Sequence, residues 1–276
     1  MKETATDVRP ARDGLKIDRS GTGHMLARSI LFNIALYLNF VVLGVVLSPV
    51  LLLPQDWGWP VVRFWARSSL WWHRLICGIG ERIGGLENRP DGGYLVACKH
   101  QSSWETLRVV TLVDKPAFIF KRELMWMPLF GWYLLKFGQI PVDRGKRTKA
   151  LAAMTVHARK AIANGQQVII FPEGTRRPPG AAPHYRYGAV HLYKELGVSC
   201  LPVALNSGLY WPRRSLEHVP GTIRLEFLPA IPPGLEPASF AKRLESDLET
   251  ASRALIDEAL TRDPQVRRVL DRTTHE

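Results

Sequence analysis

A layered α/β fold, a mixed sheet flanked by helices, is what this sequence predicts, and three observations predict it. Short apolar runs near 94–98, 117–120, 138–142, 167–171, 200–205 and 222–228 alternate with helical patterns near 104–113, 147–164 and 188–196, and such alternation builds a sheet covered by helices. Two of these runs empty directly into chemistry-bearing residues, His100 after the first and Pro172-Glu173-Gly174-Thr175-Arg176 after the fourth. Strand ends are where open α/β sheets bind ligands. Ahead of the alternation, residues 29–55 carry no charged side chain, which points to an appended membrane element. A chain of 276 residues with 46% hydrophobic content suffices for one large domain with such an appendage.

Residues 1–24 are polar and read as a disordered lead-in. Ser29 to Leu53 then offers 25 residues, enough at about 1.5 Å each to cross a hydrocarbon core of ~30 Å. That is longer than the ~7–15 residues of a signal-peptide apolar region. Pro49 and Pro54 work against a straight crossing, because they can end the helix near Ser48 and turn the chain back. Residues 57–72 hold five of the nine tryptophans, and indoles settle between headgroups and hydrocarbon. On a helix from Val61 to Ile76, Arg63, Arg67 and Arg74 fall within about 40° of one another, with Val61, Trp65, Trp72 and Ile76 opposite. The expectation over residues 25–82 is a membrane-anchoring helical hairpin, arginines on lipid phosphates and Trp65 and Trp72 in the acyl layer. A helix packed on the soluble domain with a solvated basic stripe fits the same pattern.

The α/β domain is expected over residues 83–262. Its first strand leads through Cys98-Lys99-His100 to Gln-Ser-Ser-Trp-Glu105. A histidine with a pKa near ~6.5 can take an alcohol proton at neutral pH, and a neighbouring carboxylate fixes its tautomer and stabilises the imidazolium. On one continuous helix His100 and Glu105 would stand roughly 140° apart, so they meet only if the strand breaks at His100 and a helix begins just after it. Ser102 and Glu105 supply that break as a Ser-x-x-Glu capping box opening the segment from Trp104 to Val113. In the bland alternative Glu105 only caps and His100 only ends the strand. Cys98 would share a strand face with His100, so a thiol–imidazole pair for covalent transfer stands beside a buried core cysteine. Cys77, Cys98 and Cys200 are odd in number and too far apart for zinc spacing, which suits free thiols in a reducing compartment.

At the later turn, Gly174 lets backbone approach a ligand, Thr175 and exposed amides can donate to phosphate oxygens, and Arg176 offers a planar fork. An ordinary strand-exit turn with Pro172 second and Gly174 fourth serves equally well. The stretch from Phe137 to Arg144 delivers a second arginine to a strand end. Residues 237–260 form an amphipathic helix through Phe240, Leu244, Leu248 and Leu255, and residues 263–276 a polar tail. The net charge of +12 could suggest nucleic acid, but there is no zinc-finger spacing, no RNP-like aromatic motif and no basic run of the usual length. A membrane is the partner the charge and apolar patterns fit, and no nucleic acid is expected.

Four blocks in this order resemble the phospholipid/glycerol acyltransferase family, most closely the bacterial 1-acyl-sn-glycerol-3-phosphate (lysophosphatidic acid) acyltransferases. They are His100-Gln-Ser-Ser-Trp-Glu105; Lys121 to Gly131 running on to Gly138-Gln-Ile-Pro-Val-Asp-Arg144; Phe171-Pro-Glu-Gly-Thr-Arg176; and Leu201-Pro-Val-Ala-Leu-Asn206. The resemblance spans about residues 90–230. It departs at Glu105, where the family usually has aspartate. The resemblance implies a glycerol-3-phosphate acyltransferase-like fold with an N-terminal helical element embedded in one leaflet. It implies direct transfer of an acyl group from acyl-CoA or acyl carrier protein to lysophosphatidic acid, giving phosphatidic acid, without metal or organic cofactor. His100 would be the base and Glu105 its partner. Arg144 and the Glu173-Gly174-Thr175-Arg176 turn would bind phosphate and glycerol, with Lys121 nearby and Glu173 bonding glycerol or bracing Arg176. The implied location is the cytoplasmic side of a bacterial inner membrane. Glycerol 3-phosphate, another lysophospholipid or a lyso-ornithine lipid are alternative acceptors. A non-catalytic lipid-binding protein is the alternative that Glu105 raises.

Overall fold

The computed structural model describes residues 19–143 and 147–273. The chain runs α1 (Arg19–Val46), a 3-10 turn (Ser48–Leu52), α2 (Gln55–Cys77), β1 (Ile79–Gly84), β2 (Leu95–Cys98), α3 (Trp104–Leu112), β3 (Pro116–Lys121) and α4 (Phe130–Lys136). It continues β4 (Ile140–Val142), α5 (Arg147–Ala163), β5 (Gln167–Ile170), α6 (Gly188–Leu196), β6 (Cys200–Leu205), β7 (Gly221–Phe227), α7 (Pro237–Arg262) and α8 (Arg267–Thr273). The strands form one sheet in the order β1-β7-β6-β2-β5-β3-β4. Only the β6–β7 pairing is antiparallel. The C-terminal ends of β2 to β6 therefore share one edge, and all four sequence blocks arrive there.

Strands without polar positions must be covered on both faces, and β2 and β6 are buried at every residue. Alternation divides their side chains between two cores. Val96, Cys98, Leu201 and Val203 face α3, Phe32 of α1 and Leu70 of α2, whereas Leu95, Ala97, Cys200 and Ala204 face α5, α6 and α7. The six expected strands and the helices near 104, 147, 188 and 237 all form. β1 was not legible, because Ile-Gly-Glu-Arg-Ile-Gly lacks an apolar run; it is an edge strand paired to β7.

Both termini differ from expectation. α1 begins at Arg19, inside the anticipated lead-in, while residues 1–18 lie outside the described part of the chain. The tail expected from 263 is structured as far as Thr273, and Val266 and Val269 enter the core. Two buried valines at helical spacing decide this against the polar composition around them.

The hairpin forms as the prolines suggested: Pro49 lies in the 3-10 turn and Pro54 caps α2. Asn39 Nδ2 donates to Ser68 Oγ and Ser69 Oγ at 3.0 Å, and the Arg28 guanidinium donates to the Ile76 carbonyl. These pairings make α1 and α2 antiparallel. The span Gly23–Val46 is the one described helix long and apolar enough to cross a membrane, and most of it is exposed. The expected facing of α2 needs correction. Ala66, Leu70, His73 and Cys77 are buried, and Trp65, Trp72 and Ile76 pack against the same core rather than facing lipid. Trp57, Phe64, Trp71 and Leu75 are exposed instead. α2 is apolar on two sides, so the helical wheel could not say which stripe meets the domain. Arg67 and Arg74 are exposed, whereas the Arg63 guanidinium is engaged by the Asp114 carbonyl.

Where the hairpin joins the domain, His73 Nε2 and His218 Nδ1 share a 2.9 Å hydrogen bond inside a cluster with Phe32 and Trp211. Burial, with His218 adjacent, lowers His73 well below its usual value, and burial pushes His218 down to about 4. In the unfolded chain a histidine takes its proton near ~6.5. The stability held in neutral His218 is thus complete above that pH and is lost as pH falls toward 4, on the order of 3 kcal/mol. Thermal melts of wild type and His218→Gln should show it: the variant melts lower at pH 7.5 but loses less stability between pH 6.5 and 4.5. Parallel pH slopes would contradict a buried neutral pair.

Candidate active site

β2 stops at Cys98 and α3 starts at Trp104, so the intervening turn swings His100 back over the first turn of α3. Glu105, 0% exposed, collects five hydrogen bonds there. Oε1 accepts from His100 Nδ1 and from the amides of Gln101 and Ser102, each at 2.8 Å. Oε2 accepts from the hydroxyls of Ser102 and Ser207, also at 2.8 Å. Burial alone would raise the Glu105 carboxyl, but the His100 bond and charge and the Ser102 and Ser207 bonds hold it below the usual range. An ionised carboxylate is acceptor-only, so Nδ1 of His100 donates and Nε2 is left free to act as base. Helix entry and pairing coincide: Glu105 takes the Ser102 amide and the Ser102 hydroxyl accepts from Trp104 N–H at 3.0 Å, while the cap residue of α3 is Ser103, one residue later than the expected Ser-x-x-Glu box places it. The His100 ring stacks on Phe171, centroids 3.9 Å apart, with its side chain 15% exposed.

The second carboxylate grips the same histidine by its backbone. Glu173 Oε2 accepts the His100 N–H at 3.1 Å, and Oε1 takes Lys99 Nζ at 2.6 Å. Both Glu173 oxygens are thus engaged at the β2 exit, on the His100 amide and on Lys99, rather than on the Arg176 that it was expected to brace. Lys99 Nζ also reaches Glu249 of α7 at 2.8 Å, which accepts the Tyr185 hydroxyl at 2.7 Å. The Phe171–Gly174 turn closes through Gly174 N–H to Phe171 O at 2.9 Å. Gly174 has φ +68°, and a Cβ there would approach Arg186 Cδ at 2.8 Å, so Arg186 lies directly over the turn. Arg177 N–H donates to His100 O at 2.8 Å, sewing the exits of β2 and β5 together.

On this rim Thr175 is exposed and Arg176 half-buried, with the Arg213 guanidinium on the Arg176 carbonyl. Lys121 is exposed at the end of β3, opposite Val142 of β4. Arg144 lies outside the described residues. In the fourth block Asn206 stitches elements together, accepting Arg224 N–H at 2.8 Å and donating to Leu255 O at 2.9 Å. Ser207, Lys99, Glu249 and Arg186 were not found by sequence reasoning. Ser207 stands one residue past a recognised block, and Glu249 is an ordinary-looking helix carboxylate far along the chain.

The thiol alternative is not formed. Cys98 is fully buried and its Sγ donates to Lys99 O at 3.2 Å. Burial and the Glu105 and Glu173 charges push the thiol well up, so no thiolate is available. Among the described residues, the side chains close enough to share a metal ion are His73, Cys77 and His218, with donor atoms within 4.8 Å. The facing imidazole nitrogens there are already bonded to each other.

A family model described as Acyltransferase matches residues 81–206. A 1-acyl-sn-glycerol-3-phosphate acyltransferase of Pseudomonas aeruginosa is 34% identical over 207 residues, covering 74% of this chain and 80% of that protein. A protein of Bos taurus named 1-acyl-sn-glycerol-3-phosphate acyltransferase alpha is 28% identical over 189 residues, 66% of either chain. The crystal structure of the lysophosphatidic acid acyltransferase PlsC from Thermotoga maritima superimposes with a TM-score of 0.69 at 21% identity, covering 83% of this chain and 97% of that one. That likeness is one of fold.

The carboxylate hub has a direct stability consequence. Glu105→Gln puts an amide donor among buried donors, and each group left unsatisfied costs about 1–3 kcal/mol. Ser207→Ala removes one bond of about 1 kcal/mol. Urea denaturation should rank wild type above Ser207→Ala above Glu105→Gln. Equal stability of Glu105→Gln and wild type would show that the carboxylate is not ionised.

Proposed function

The chain belongs to the acyltransferase family, and on that footing we propose that it transfers a fatty acyl group from an acyl thioester to the sn-2 hydroxyl of 1-acyl-sn-glycerol 3-phosphate, giving phosphatidic acid. The observation that carries this reading is the His100–Glu105 pair, 2.8 Å apart at the C-terminal edge of the parallel strands. Its setting is a chain 34% identical to a protein bearing that substrate's name.

His100 Nε2 takes the proton of the acceptor hydroxyl as its oxygen attacks the thioester carbonyl carbon. The C–O bond forms, the carbonyl electrons move to oxygen, and Glu105 stabilises the imidazolium. As the tetrahedral intermediate collapses, the C–S bond breaks and Nε2 returns its proton to the leaving thiolate. The step balances on these groups and two substrates, with acyl-CoA or acyl carrier protein as donor and no metal or organic cofactor. Arg176 and Thr175 supply donors for the acceptor phosphate, with Gly174 shaping the turn and Lys121 and Arg144 adding charge. Glu173 positions the base through its backbone.

The acceptor carries one acyl chain and its hydroxyl lies near headgroup depth, so a site held at the bilayer surface can draw it from the leaflet. The exposed apolar helix Gly23–Val46 supports membrane association. We place the hairpin in one leaflet on the cytoplasmic side of a bacterial inner membrane. Antiparallel pairing of α1 with α2, itself packed on the domain, favours a re-entrant hairpin over a lone span.

Purified protein given labelled acyl thioester and lysophosphatidic acid should form phosphatidic acid. His100→Ala should lose at least the ~10²-fold typical of a missing general base. Arg176→Ala should fall about 10- to 150-fold, since a charge-assisted bond is worth roughly 1.5–3 kcal/mol, and mostly with phosphorylated acceptors. Wild-type turnover by His100→Ala, or equal rates on acceptors lacking phosphate, would overturn the assignment.

A further inference from the structure

We propose that the β3–β4 connection is a second membrane contact, inserted beside the hairpin and seating the active-site rim on the bilayer. This deepens the membrane reading above and rests on it. Between Lys121 and Ile140 the chain makes a 3-10 turn (Arg122–Trp126) and then α4. Along this short piece Trp126 is 79%, Met127 47%, Trp132 58% and Leu135 60% exposed. Soluble surfaces scatter such residues singly, whereas a cluster of this kind marks a contact.

Bilayer lipid is the occupant because the connection is locked to the hairpin and continues its apolar face. Leu129, at the strained φ of 66°, drives its side chain against Gly44 of α1, and Phe137 lies on Gly58 of α2. A Cβ at either glycine would collide with these side chains. Tyr133 donates to Gly44 O at 3.0 Å, the Phe40 and Phe130 rings meet at 5.9 Å, and the Lys136 ammonium reaches the Leu53 carbonyl. The hairpin tip in these contacts is itself bare and apolar at Val45, Val46, Leu52 and Leu53. Exposed Lys121 and Arg122 flank the indoles, the arrangement that places tryptophan at headgroup depth and cations on lipid phosphates. β3 and β4 end on the edge that carries His100, so insertion here would fix the height of the rim above the leaflet.

The native cysteines are buried, so an environment-sensitive fluorophore can be placed on Trp126→Cys, Trp132→Cys, Val42→Cys on α1 and Val156→Cys on α5. On vesicles of phosphatidylethanolamine and phosphatidylglycerol containing nitroxide lipid, labels at 126, 132 and 42 should shift to the blue and be quenched, and 156 should not. Quenching at 42 without 126 and 132 would overturn this contact and leave the hairpin standing; quenching at neither would remove both. A blue shift at 126 that needs no lipid and grows with protein concentration would assign the patch to a second copy instead, also overturning it. As an independent arm, Trp126→Ser/Trp132→Ser should bind vesicles at least ten-fold more weakly while turning over detergent-dispersed acceptor at the wild-type rate. Unchanged vesicle binding would overturn the proposal.

Discussion

A single buried carboxylate holds the site together. Glu105 is closed off from water, and moving an ion into such surroundings costs several kcal/mol unless donors replace the lost hydration. Five donors do so, four from the turn between β2 and α3 and one from the residue just beyond Asn206, while α3 carries the carboxylate itself. Satisfying this charge therefore fixes the relative positions of two strand ends and a helix. The glutamate's extra methylene, a departure from the usual aspartate, goes with a carboxylate that meets the imidazole through one oxygen and Ser207 through the other. Glutamate at this position is thus compatible with an intact pair, and the decayed-site alternative loses its motive.

A second carboxylate completes the restraint from the opposite side. Glu173 holds His100 by its amide while Glu105 holds the ring, so the histidine is constrained at both ends. Lys99 lies between Glu173 and Glu249, and this charge balance ties α7 to the strand that bears the histidine. Parallel topology makes the convergence possible, because β2, β5 and β6 must all finish on the same edge.

Much of this was legible in the sequence, for physical reasons that also mark where reading stops. Strands buried on both faces are continuous apolar runs, so β2, β5 and β6 stood out; β1, an edge strand with two glycines and two charges, did not. Proline chemistry located the hairpin turn. The orientation of α2 was misread, since Trp65 and Trp72 serve the core while Trp57 and Trp71 are bare. A wheel shows which residues share a side, never which side has a partner. His100, Glu105 and the Glu173 turn were found because their chemistry is local. Ser207 and Glu249 were missed because they join the site through contacts 102 and 150 residues apart in sequence.

The proposed catalysis requires an imidazole whose proton sits on Nδ1, facing Glu105, with Nε2 left to take the acceptor's proton. Nitrogen-15 NMR of histidine-labelled protein in micelles near neutral pH reads that tautomer, with His100→Gln identifying the resonance. In the neutral form of the ring the expected proton position is Nδ1, reverting to a tautomer mixture in Glu105→Gln. A ring protonated at Nε2 in the wild type, or one indifferent to Glu105→Gln, would contradict it.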